Sequence, residues 1–155
     1  MIVRKEELLK EVEQKAFYYE ANHHDCSQCV LLSLQEVFNV PGESAFKAAT
    51  GFAGGMGRTG QVCGSLTGAI MAFGLLWGRN LEEMMLPDKT ERLERLEASE
   101  QKLGVLIKNL QKRFRTEYGG IDCDEIQTKI FGKPYSSGTA EEREEMERLG
   151  GHKDK

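Results

Sequence analysis

Two cysteines three residues apart, Cys26 and Cys29 in the segment C-S-Q-C, are the residues best suited to chemistry in this sequence. On a helix, positions three apart share a face with Cβ atoms about 5 to 6 Å apart, so a disulfide is feasible after modest relaxation. Asp25 and Gln28 match a capping box, which places Cys26 in the first helical turn. There the helix dipole favours the Cys26 thiolate, whereas the negative charge of Asp25 disfavours it. The direction of the net shift in the Cys26 pKa therefore stays open.

The other two cysteines are also predicted at helix starts. The segment 122–125, D-C-D-E, repeats the cap-cysteine-x-acceptor order of D-C-S-Q, and Cys63 lies between a glycine-rich loop and an apolar segment. Cysteines that only fill a core are expected in helix middles, because a free thiol packs as a small hydrophobe. Their placement favours thiol redox chemistry, with Cys26 attacking, Cys29 resolving, and Cys63 and Cys123 as a second couple or relay. We expect the fold to gather these sulfurs in one electropositive pocket.

A metal site is the second interpretation of the same residues. The range 23–29 holds two histidines and two cysteines, and a cysteine from elsewhere could complete a tetrahedral sulfur and nitrogen set. The candidate metal ligands are Cys26, Cys63, Cys123 and His24. A second C-x-x-C or an H-x-x-x-H pair, which would indicate zinc more strongly, does not occur in the sequence.

The glycine-rich loop contains G-M-G-R-T-G at 55–60, which matches the nominal G-x-G-x-x-G dinucleotide pattern. That pattern binds pyrophosphate only between a β-strand and a helix, and the preceding segment A-F-K-A-A-T-G-F-A has a helical composition. We therefore reject a dinucleotide site. A tight turn feeding the next helix is the simpler interpretation, and the alternative is an anion or thiolate site near Cys63 formed by Gly57, Arg58 and Gly64.

Hydrophobic periodicity predicts the helices that must position these residues. Gly64, Gly68 and Ala72 are spaced four apart, which predicts a bare helix face that another helix can approach closely. The longest predicted helix, 89–118, either pairs with a partner helix or breaks near Gly104. The predicted helices are about Lys5–Ala21, one from about Asp25 to before Pro41, Ala45–Thr50 capped by Ser44, Leu66–Trp77, Lys89–Tyr118 and Asp122–Phe131.

No segment has the alternation of a strand, so the predicted fold is an all-α, single-domain bundle of about five or six helices. We assign residues 1–135 to the domain and 136–155 to a polar tail, interpreted as solvated helix or disorder. A chain of 155 residues with 39% hydrophobic and 30% charged residues fits one globular domain. The net charge of -4 argues against a nucleic-acid partner.

The N-terminal segment carries frequent charges, so we expect no secretory signal and a cytoplasmic location, where cysteines are usually reduced. The apolar segment 66–77 is too short for a membrane span of about 20 residues.

Three segments together resemble the C_GCAxxG_C_C family of redox-active proteins from bacteria and archaea. They are N-H-H-D-C-S-Q-C-V at 22–30, the glycine-rich stretch through Cys63 at 51–69, and Y-G-G-I-D-C-D-E-I at 118–126. The family's C-G-A-x-x-G box corresponds to 63–68, with Ser65 in place of alanine. The resemblance places family cysteines on Cys26, Cys63 and Cys123. The family's further C-terminal cysteine has no counterpart here, and Cys29 is the candidate substitute.

The resemblance implies redox activity without a defined substrate, so the redox partner is an unknown protein or small molecule. A metal or iron-sulfur module using the same cysteines is the first alternative. A non-catalytic helical interaction protein, including a homodimer formed through the long helix, is the second.

Overall fold

The computed structural model describes residues 2–135 and 138–152, and within these ranges every regular element is helical. The all-α prediction is therefore confirmed. The helices are α1 (Ile2–His23), α2 (Cys26–Val37), α3 (Glu43–Ala49), α4 (Ala53–Met56), α5 (Gly64–Trp77), α6 (Leu81–Met84), α7 (Lys89–Tyr118), α8 (Cys123–Phe131) and α9 (Ala140–Arg148), with a 3-10 turn at Thr50–Phe52.

The predicted number of five or six helices is too low for the described part of the chain. Helices α4 and α6 have four residues each, which is too short for hydrophobic periodicity to reveal. Helix α9 lies inside the predicted polar tail, of which residues 136–137 and 153–155 fall outside the described ranges. The predicted cap of the third helix is also wrong, because Gly42 precedes α3 and Ser44 lies within it.

The centre of the fold is the contact between α2 and α5, where Leu31 and Leu66 are fully buried. A Cβ added at Gly68 would collide with the backbone carbonyl oxygen of Ser27, so only glycine permits this approach. The Ser27 hydroxyl is itself buried and donates to the carbonyl of Ala49 at 2.8 Å. The predicted bare face of α5 is thus the surface on which α2 packs.

Helix α7 runs unbroken through Gly104, so the predicted break does not occur. None of its residues is buried, although it carries the long apolar stripe predicted from the sequence. Its main contacts to other helices are with α5 and α6, and Lys129 of α8 donates to the Glu117 carbonyl near its end. Among the described residues, no helix combines the length and the hydropathy needed to cross a bilayer.

Candidate functional site

All four cysteines line one cavity of about 720 Å³, although they lie far apart in the sequence. Cys26 is the first residue of α2, Cys63 immediately precedes α5, and Cys123 is the first residue of α8. Cys29 follows one turn into α2. The structure therefore brings together the sulfurs that the sequence places at three separate helix starts.

A short backbone pairing holds the starts of α5 and α8 side by side. Val62 and Asp122 form an isolated antiparallel bridge. On either side of it, the Cys63 N–H donates to the carbonyl of Ile121 at 2.8 Å and the Cys123 N–H donates to the carbonyl of Gln61 at 2.6 Å. These bonds fix Cys63 and Cys123 next to each other by their backbones.

The glycine-rich loop makes room for the same pairing. Gly55 has a φ of 78°, and a Cβ built on it would lie 2.8 Å from Cβ of Cys123. Gly60 has a φ of 75°, and a Cβ there would overlap the carboxylate of Asp124. Both positions combine a left-handed backbone with a close neighbour, so the loop requires glycine for two separate reasons.

Cys26 reaches the cavity because Gly64 has no side chain. A Cβ on Gly64 would occupy the space of the Cys26 sulfur, so this sulfur lies against the residue that follows Cys63. The backbone N–H of Gly54 also donates to the Cys26 sulfur. Gly64, a candidate binding residue from the sequence, thus serves the approach of α2 to α5 in this structure.

Burial raises the pKa of the Cys26 thiol to about 12, and the bond from Gly54 offsets only part of that effect. Burial is also the main cause of the raised pKa of Cys29, followed by the charge of Glu20. The sequence left the direction of the Cys26 pKa shift open. In the structure, loss of hydration raises this pKa by more than the helix start lowers it.

Cys123 lies in the same electrostatic environment. Burial first, and then the charges of Cys63, Cys26 and Asp124, raise its pKa to about 12, and Arg58 partly opposes them. Because the charges of Cys26 and Cys63 both act on Cys123, ionising one of these sulfurs opposes ionising the next. The three helix-start cysteines are therefore electrostatically coupled.

Cys29 differs from the other three in its surroundings. It is 4% exposed, and its thiol donates to the backbone carbonyl of His24 at 2.9 Å. All four cysteines are free thiols in this structure, with Cys26 and Cys63 partly exposed and Cys29 and Cys123 buried.

Of the predicted anion-binding residues, Arg58 lines the cavity and Gly57 is the C-cap of α4. The expected electropositive pocket is not found in the described residues, because acidic and basic groups are mixed there. The charged and titratable side chains other than cysteine and tyrosine that line the cavity are Glu20, Asp25, Glu142, Glu147, Arg58, Arg143, His24 and His152.

The turn that joins α1 to α2 is strained at this cavity. His24 and Asp25 have φ angles of 59° and 71°, a left-handed conformation that is unfavourable for residues other than glycine. The Asp25 carboxylate compensates by accepting a hydrogen bond from the Gln28 N–H at 3.2 Å. The capping role predicted for Asp25 is confirmed. The predicted capping box is not formed, because the Gln28 side-chain amide donates to the Phe46 carbonyl and to Thr50 Oγ1.

Sequence reasoning missed the part of the wall formed by Glu20 and His152, which are 132 residues apart and lie 2.7 Å from each other. No local motif links residues so distant in the sequence. His24 is close to both, and their ligand atoms all lie within 4.8 Å of one another. This group contains no cysteine, so of the metal ligands predicted from the sequence, Cys26, Cys63, Cys123 and His24, it includes His24 alone.

Comparison with known proteins gives one family match. The model of a family described as "Putative redox-active protein (C_GCAxxG_C_C)" matches residues 24–149. No curated protein and no solved structure matches the chain. The matched range includes all four cysteines and the glycine-rich loop.

Proposed function

Because the chain belongs to the C_GCAxxG_C_C family, we propose that it is a thiol redox protein that exchanges disulfides in the cysteine-lined cavity. The observation that carries this proposal is the convergence of Cys26, Cys63 and Cys123 from three helix starts on one cavity. Cysteines that only fill a core are not expected to line together a cavity large enough for a small ligand.

We assign the redox couple to Cys63 and Cys26. Both are partly exposed, and the Cys26 sulfur packs against Gly64, next to Cys63. Cys29 is less suited to the resolving role given to it by the C-x-x-C spacing, because it is buried and its thiol is bonded to the His24 carbonyl. Cys123 is buried beside the couple and serves as a reserve thiol.

In the proposed reaction, the Cys63 thiolate attacks one sulfur of a substrate disulfide. A mixed disulfide forms, the substrate S–S bond breaks, and the departing thiolate takes a proton from solvent. The Cys26 thiolate then attacks the Cys63 sulfur and releases the second substrate thiol. The substrate gains two electrons and the protein keeps a Cys26–Cys63 disulfide. A dithiol reductant then reduces this disulfide to two thiols and is itself oxidised to a disulfide.

The test is thiol counting on the reduced protein in the presence of a metal chelator, before and after incubation with oxidised glutathione. We expect the four free thiols to fall to two and peptide mapping to recover a Cys26–Cys63 disulfide. Cys63→Ser should abolish the pairing, whereas the matched control Cys29→Ser should retain it. Four thiols that survive oxidation would refute the redox proposal, and a Cys26–Cys29 disulfide would refute the assigned couple.

A further inference from the structure

Two imidazoles and a carboxylate converge beside the cysteines, at one wall of the cavity. Glu20 lies near the end of α1, His24 follows that helix, and His152 lies beyond α9. Nδ1 of His152 is 2.7 Å from Oε1 of Glu20, and the rings of His24 and His152 are 4.5 Å apart between centroids. Folding therefore brings ligand-type side chains from the end of α1 and from the segment after α9 together.

The surrounding charges favour a cation. Oε1 of Glu147 lies 3.9 Å from Nε2 of both His24 and His152, which adds a second carboxylate to the group. The second oxygen of Glu20, Oε2, is buried and has no hydrogen-bond partner among the described residues. A buried carboxylate oxygen left unpaired is costly, and a bound metal ion would satisfy it.

An ordinary His152–Glu20 ion pair explains part of this arrangement, since the two side chains are within hydrogen-bond distance. It does not explain why the His24 ring lies against the His152 ring, tilted by 59°, or why Oε2 of Glu20 is unpaired among the described residues.

We propose that Glu20, His24 and His152 form a binding site for a divalent metal ion of the zinc class. Two histidines and one glutamate are a known donor set for zinc with a fourth position left open. Tetrahedral zinc holds such donors about 3.4 Å apart. Side-chain rotation must therefore shorten the separations of up to 4.8 Å and lengthen the 2.7 Å between His152 Nδ1 and Glu20 Oε1. Glu20, His24 and His152 all line the same cavity as the cysteines.

This site is separate from the proposed thiol exchange, because it uses no cysteine. A metal ion bound there is expected to restrain the chain as well as to bind a ligand. A metal ion held by α1 and by His152 would fasten the segment after α9 to the body of the protein, beside the opening to Cys26 and Cys63.

The test is titration of the reduced, metal-free full-length protein with Co²⁺, followed by competition with Zn²⁺. We expect one equivalent of Co²⁺ to give d–d absorption without a thiolate-to-cobalt charge-transfer band, and Zn²⁺ to displace it. His24→Ala and His152→Ala should each weaken binding at least about 100-fold, since even outer-shell partners change affinity about 10- to 100-fold. His23→Ala, the neighbouring histidine outside the group, is the matched control and should bind as the parent does.

Three results would overturn this proposal: no binding, equal binding by the parent and both histidine variants, or a charge-transfer band lost in Cys→Ser variants. Circular dichroism of each variant establishes that loss of binding does not come from loss of the fold. Thiol counting is performed with a chelator, so failure of the metal site leaves the redox test unaffected.

Discussion

Replacing Gly64 with alanine tests directly how the fold positions the Cys26 sulfur. The added Cβ would take the place of that sulfur and lie 3.1 Å from the Phe52 carbonyl oxygen and 3.3 Å from the Ser27 nitrogen. Two of these three neighbours are backbone atoms, so rotation of Cys26 alone does not relieve the crowding. Overpacking of this kind costs about 1 to 3 kcal/mol.

Helix propensity does little to offset that cost at Gly64. Alanine gains about 1 kcal/mol over glycine in a helix interior, but Gly64 is the first residue of α5. For a chain of about 150 residues each kcal/mol shifts Tm by about 2 to 4 °C, so Gly64→Ala should lower Tm by about 2 to 12 °C. Thermal unfolding of the reduced proteins, with urea unfolding as a second measure, supplies the comparison.

The same substitution should also reduce formation of the Cys26–Cys63 disulfide, because it displaces the Cys26 sulfur. Gly74→Ala is the matched control in the same helix. A Cβ at Gly74 meets nothing within 4 Å, so this variant should keep the pairing and gain up to about 1 kcal/mol. A Gly64→Ala protein as stable as the parent, with unchanged disulfide yield, would refute the close approach of α2 to α5 at this point.

Two further outcomes follow from burial and exposed surface. Burial raises the pKa of Cys123 from 9.0 to about 12. The rate of its alkylation by iodoacetamide should therefore rise about tenfold per pH unit up to that value, because only the thiolate reacts. A rate that levels off near pH 9 would contradict the raised pKa. Folding favours the neutral thiol of Cys123. The stability that this thiol contributes is therefore present below pH 9.0 and is lost as the pH rises towards about 12. Measurement of Tm as a function of pH tests this. The chain exposes 10367 Å², against about 7,900 Å² for a compact monomer of 17.4 kDa, and Leu93 and Val105 on α7 are 54% and 60% exposed. We therefore expect sedimentation equilibrium to give a dimer formed through α7 and Val105→Glu to give the monomer; a parent mass of 17.4 kDa at all concentrations would contradict this.

Local signals in the sequence predict most of the helices. Asp25 caps α2 as expected, and the bounds of α7, Lys89–Tyr118, agree with the predicted ones. Capping bonds and apolar periodicity act within about four residues, so they can be recognised without knowing what the helix packs against. The shortest helices, α4 and α6, lack that periodicity and were missed.

The sequence also determines that three of the four cysteines stand at or next to a helix start, since each depends on its immediate neighbours. Only the tertiary structure decides that Cys63 and Cys123 are joined across the Val62–Asp122 bridge, and that the space beside Gly64 is filled by Cys26. The tertiary structure also determines that Glu20 contacts His152 and that burial raises the pKa values of Cys26 and Cys123. Helix packing creates these contacts and removes the water, and neither effect is encoded within one turn of the chain.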